Sequence, residues 1–196
     1  MPVKNTEDRY GAVAMTLHWL IALGFIAMLG LGLYMADLPL SDPNKFPLYQ
    51  WHKSIGLTIL LLVLVRLAWR ALNITPPLPS GLKPYERRLA HTTHASLYAA
   101  LIVMPLTGWT LVSASSFNIP TIFYGVIEWP HIGWIAAHPQ KKLIEEWAAE
   151  IHSTIALLAG LALLAHIGAA LKHHFILKDD VLRRMLPHRR AKETHE

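Results

Sequence analysis

The stretch Glu150–Lys172, EIHSTIALLAGLALLAHIGAALK, restricts most strongly what this chain can fold into. It is a long apolar run with two histidines inside it, His152 and His166, fourteen residues apart. At about 100° per residue, that step brings the second imidazole back to within roughly 40° of the first. At about 1.5 Å per residue, it separates them by roughly 21 Å along the axis. A hydrocarbon layer is about 30 Å thick, so one helix carries an imidazole near each side of a membrane. Ionisable groups at that depth are costly, face the interior of a bundle, and mark function. The arrangement suits two metal centres stacked across a bilayer.

Composition supports a membrane protein. Hydrophobic residues make up 53% of the 196, and only 16% are charged, which points to apolar spans joined by short loops. There are no cysteines. That excludes disulfides, thiolate zinc sites, cysteine-bound iron–sulfur clusters and covalently attached haem. The twelve histidines are the main metal-ligating resource left. The net charge of +5 does not indicate nucleic acid, because the basic residues flank apolar spans and serve membrane orientation.

Four spans are expected in a single domain covering 1–196: 12–35, 51–70, 91–112 and 150–172. The first is too long for a signal-peptide core, and Glu7 and Asp8 stand where a basic region belongs. Pro39, Pro43 and Pro47 predict a loop over 37–49, and NITPPLPSGLKP, 73–84, predicts a second. Pro105 and Gly108 predict a kink in the third span. The connection 113–147 carries Phe117, Phe123, Tyr124, Trp129, Trp134 and Trp147, as a segment lying on the membrane interface would. QKKLIEEWAAEIH reads as a helical lead into the last span.

Lys and Arg fall unevenly. Fourteen lie at the N-terminus, around the second loop and in the C-terminal tail, and the other side holds Lys45, Lys53, Lys141 and Lys142. The positive-inside bias makes both termini cytoplasmic. The expected fold is all-α, an integral membrane four-helix up-down bundle.

Orientation assigns depth to the histidines. His18 and His166 lie about two turns inside the cytoplasmic ends of their helices, and His52 and His152 open theirs on the outer side. A six-coordinate haem iron takes one axial ligand from each face of the ring, from different helices. The pairs His18–His166 and His52–His152 supply that. His91 and His94 compete with His18 as ligands from the start of the third helix. His173 and His174 end the fourth helix at the interface. His188 and His195 are read as solvated tail residues.

These residues resemble the bacterial cytochrome b561 family of four-helix di-haem proteins. The resemblance rests on His18-Trp19, His52, the ITPPLP connector, LAHxxHxxxY over Leu89–Tyr98, the histidine pair fourteen apart, and the tail Lys172–Pro187. It implies two non-covalent haem b groups, ligated by His18 with His166 and by His52 with His152. Within the family the chain is similar to stand-alone members that pass electrons from periplasmic superoxide to ubiquinone in the bacterial inner membrane. Lys53, Lys141 and Lys142 are then the donor-side candidates, since an anion is steered by local positive charge. His91, His94, His173 and His174 are the quinone-side candidates. Other members serve as membrane-anchor subunits for a dehydrogenase or hydrogenase partner. A third reading is a non-redox transporter whose histidines bind zinc or relay protons.

Overall fold

In a computed structural model, which describes residues 2–79 and 81–187, four long helices form the body of the protein. They are α1 (Ala12–Asp37), α2 (Lys45–Leu72), α3 (Pro84–Ala114) and α5 (Lys141–Leu171). Each is long and apolar enough to cross a membrane. α1 packs along α2, and α3 along α5. Side chains such as Leu33, Leu61 and Leu164 face outward, as lipid permits, because a helix satisfies its backbone internally whatever surrounds its side chains. The expected all-α bundle is what the chain forms.

Two helices start earlier than the prolines suggest. Pro47 is the third residue of α2. First-turn N–H groups have no intrahelical acceptor, so a proline there forfeits no bond. The first bond of the helix runs from the Leu48 N–H to the Asn44 carbonyl at 3.0 Å. α3 likewise opens on Pro84, and Glu86 reaches back to accept the Lys83 N–H at 3.1 Å. The other Glu86 oxygen meets Lys172 Nζ at 3.1 Å, tying the start of α3 to the end of α5. Helix α3 runs without a break through Pro105.

The two ends of the bundle are closed differently. At one end the N-terminus, the α2–α3 connector and the tail meet. Arg9 donates to the Arg183 and Leu186 carbonyls, Trp19 Nε1 to the Met185 carbonyl at 2.8 Å, Asn5 to Ile74, and Arg184 to Pro77. α5 leaves its α-helical course there in a π-helical turn, Lys172–Leu177, that ends on left-handed Lys178. The two ends of the described residues therefore meet at one end of the bundle, as an up-down arrangement requires.

The opposite end carries a β-hairpin that the sequence reading did not anticipate. β1 (Thr121–Phe123) pairs antiparallel with β2 (Ile127–Trp129), and α4 (Gly133–Ala136) follows. Tyr124 and Gly125 turn the chain at φ 49° and 75°. The run TIFYGVIEW has β-branched and aromatic residues either side of that turn, which is the local signal for a hairpin. Side chains of α2 clamp it. Gln50 Nε2 and Lys53 Nζ donate to the Pro120 carbonyl at 2.8 and 3.1 Å, Ser54 Oγ accepts the Tyr124 N–H at 3.0 Å, and the Thr58 hydroxyl meets the Tyr124 hydroxyl at 2.9 Å.

Candidate haem-binding sites

The core lies between two histidine levels. Ile21, Phe25, Ile59, Val63, Ala100, Leu101 and Ala159 form one buried cluster. Ala159 stands seven residues after His152 and seven before His166, two turns from each and on their side of α5. A largely apolar belt thus separates the levels.

At the hairpin end, His52 of α2 faces His152 of α5 with ring centres 6.2 Å apart. At the other end, His18 of α1 faces His166 of α5, also at 6.2 Å. A metal–imidazole bond is about 2 Å, and the bonded nitrogen lies about 1 Å from its ring centre, so two imidazoles opposed across one metal atom have centres about 6 to 6.5 Å apart. Both pairs fit that separation. Among the described residues, no group of three or more His, Cys, Asp or Glu side chains forms a metal site.

The surroundings of the outer pair fit a flat prosthetic group. The Thr107 hydroxyl donates to the Met104 carbonyl at 2.8 Å and lies 3.0 Å from His152 Nδ1. With its proton committed, the hydroxyl accepts from Nδ1–H, which leaves the Nε2 lone pair of His152 for a metal. His52 Nδ1 is buried with no hydrogen-bond partner, a cost that helix packing alone does not explain. Two glycines keep the rings clear. A Cβ at Gly32 would stand 3.4 Å from His52 Cε1, and one at Gly108 3.4 Å from His152 Cε1.

The inner pair has a third imidazole beside it. His94 of α3 lies 5.1 Å from His166, ring centre to ring centre, and its Nδ1 bonds the Ala90 carbonyl at 2.7 Å. That spacing is too short for two ligands opposed across one metal. His91 is exposed one turn before it. His173 is not free in the bundle: its Nδ1 lies 2.5 Å from Asp179 Oδ2. His174 packs edge-on against Phe175, with its Nδ1 buried and unpartnered. Trp19 packs on His18 at 5.3 Å as well as holding the tail.

On the donor side the three lysines differ. Lys53 is bound to Pro120 under the hairpin. Lys141 and Lys142 open the first turn of α5, where Lys141 is half-buried and Lys142 exposed. The sequence reading missed Thr107, Gln50, Ser54, Arg66 and Asp179. The signal for Arg66 was a charge six residues inside the end of α2, read only as an orientation marker. His188 and His195 lie outside the described residues.

Comparison with known proteins agrees with this architecture. Residues 9–188 match the sequence pattern of the family described as prokaryotic cytochrome b561. The chain is 33% identical to Cytochrome b561 homolog 2 of Escherichia coli (strain K12) over 187 residues, covering 95% of each. It is 26% identical to the Probable superoxide oxidase CybB of Yersinia pestis, over 94% of this chain and 99% of that one. It is 27% identical to Cytochrome b561 homolog 1 of Escherichia coli (strain K12), over 93% and 99%. The four spanning helices and the full-length match together show that this chain belongs to the prokaryotic cytochrome b561 family, haem b electron-transfer proteins of the bacterial inner membrane.

Proposed function

We propose that this protein carries electrons from superoxide on the outer face of the membrane to ubiquinone, using two haem b groups, one held by His52 and His152 and one by His18 and His166. The observation that carries this reading is the equal 6.2 Å spacing of two histidine pairs at two depths. The bias of Lys and Arg sets the hairpin end outward and both termini in the cytoplasm. The similarity to a protein named a probable superoxide oxidase supports the choice of donor. The overall change balances as two superoxide anions and two protons with one quinone, giving two oxygen molecules and one quinol.

When bound, haem supplies the one-electron chemistry, and the protein's levers are ligation, hydrogen bonding and burial. Thr107 fixes the tautomer of His152. His52 with His152, and His18 with His166, would each hold one haem through two imidazoles, which would leave the donor no ligand position to occupy. Lys141 and Lys142 add their charge to the positive end of the α5 dipole, which favours approach of an anion. The largely apolar belt around Phe25, Val63 and Ala159 separates the levels. At the inner end His94, its Nδ1 held by Ala90, offers Nε2 for proton exchange with the quinone.

The test is direct. Purified protein is supplied with enzymatically generated superoxide and a soluble ubiquinone analogue. The expected result is superoxide-dependent quinol formation, suppressed by superoxide dismutase. Haem reduction by an added dehydrogenase but not by superoxide would contradict the donor and favour an anchor-subunit role.

A further inference from the structure

Arg66 is a charged side chain inside the bundle. Its Nη1 donates to the Ala14 carbonyl at 2.8 Å and its Nε to the Tyr98 hydroxyl at 2.9 Å. Ala14 precedes His18 by one turn of α1, so this cation sits about one turn from the inner histidine level. Among the described residues neither Arg66 nor Arg70 has a carboxylate within ion-pair reach. Both border a small cavity of about 20 Å³ with Ala14, Trp69 and Tyr98, Arg66 half-buried and Arg70 exposed. Trp69, one of the lining residues, has its Nε1 buried without a partner. Tyr98, having accepted from Arg66, still has its own O–H to donate. Asn5, Tyr10 and Thr75 complete the lining, and no carboxylate is among it. Buried charge and buried N–H groups without partners are costly, so such a site calls for an oxyanion. Its volume suits a group about the size of a water molecule, which excludes a quinone ring and admits the end of a carboxylate.

We propose that Arg66, with Arg70, Trp69 and Tyr98, is the seat for a propionate carboxylate of the inner haem. This rests on the reading that His18 and His166 hold that haem. Arg66 then does two things: it neutralises the carboxylate in a low-dielectric place, and it favours the reduced haem, which carries one positive charge fewer.

The experiment is an optical redox titration of the full protein in phosphatidylcholine vesicles, at slightly acidic and slightly alkaline pH, after the haems are counted. Arg66→Leu should lower the midpoint of one haem and leave the other unchanged. The drop should be larger at alkaline pH, where the uncompensated carboxylate is ionised. Arg66→Lys, which keeps the charge, should recover most of it. Two haems with unchanged midpoints in Arg66→Leu would overturn the proposal, as would a shift that is independent of pH and equal in Arg66→Lys. If Arg66→Leu loses the inner haem, Trp69→Phe decides: a small downward shift of the same haem supports the seat, and none overturns it. Lipid phosphate is the rival oxyanion. A midpoint that changes when phosphatidylglycerol replaces phosphatidylcholine in wild type, but not in Arg66→Leu, would give the seat to lipid instead. A wild-type count below two haems would overturn the underlying reading, and with it this one, before any titration.

Discussion

The imidazole of His152 lies 3.0 Å from the Thr107 hydroxyl, and that hydroxyl is already committed to the Met104 carbonyl. The direction of the bond is thereby fixed, and with it the tautomer of a paired histidine. Such outer partners of a ligating histidine typically change metal-group affinity 10- to 100-fold, about 1 to 3 kcal/mol. Thr107→Val keeps the shape and removes the acceptor. Loss of the outer haem to an excess of a haem-scavenging protein should become about ten times faster, while the inner haem stays. Equal loss in variant and wild type would mean the bond does not serve ligation.

His94→Ala should keep both haems and slow quinone reduction by about 10-fold or more, as loss of one proton-transfer group does. His94 stands beside His166 at 5.1 Å without opposing it. The check is the reduced spectrum together with steady-state quinol formation. Loss of one haem spectrum would show that His94, not His18, is the ligand.

Lys141→Glu with Lys142→Glu should slow superoxide oxidation and weaken its dependence on salt. The double change moves the local charge by about four units at the donor end, and less attraction then remains for ions to screen. The haem spectrum should be unchanged, since these residues open α5 outside the apolar span. Equal rates at low salt would mean that this pair does not steer the donor.

Much of this was legible in the sequence because the signals are periodic. Hydropathy marked the four helices, and a fourteen-residue step placed His152 and His166 on one side of α5. Depth alone matched His18 to His166 and His52 to His152, and the rings do meet in those pairs. Proline misled at the helix starts. Pro47 reads as a loop marker, yet in a first turn it removes nothing. The hairpin was hidden because its strands are three residues each inside a segment rich in aromatics for another reason, contact with the interface. Thr107 and Arg66 were illegible because their roles depend on neighbours from other helices: His152 is 45 residues from Thr107, and Ala14 is 52 from Arg66. Lys53 was legible as a charge beside His52, but not its hydrogen bond to the Pro120 carbonyl, 67 residues away.

The central claim is that two histidine pairs each hold one haem b. The most direct measurement is haem per polypeptide, by pyridine haemochrome, in wild type, His52→Ala and His166→Ala, alongside low-temperature paramagnetic resonance. The account predicts about two haems in wild type and about one in each variant, with a different low-spin signal missing from each. Full occupancy in His166→Ala, or the loss of the same signal in both variants, would contradict it.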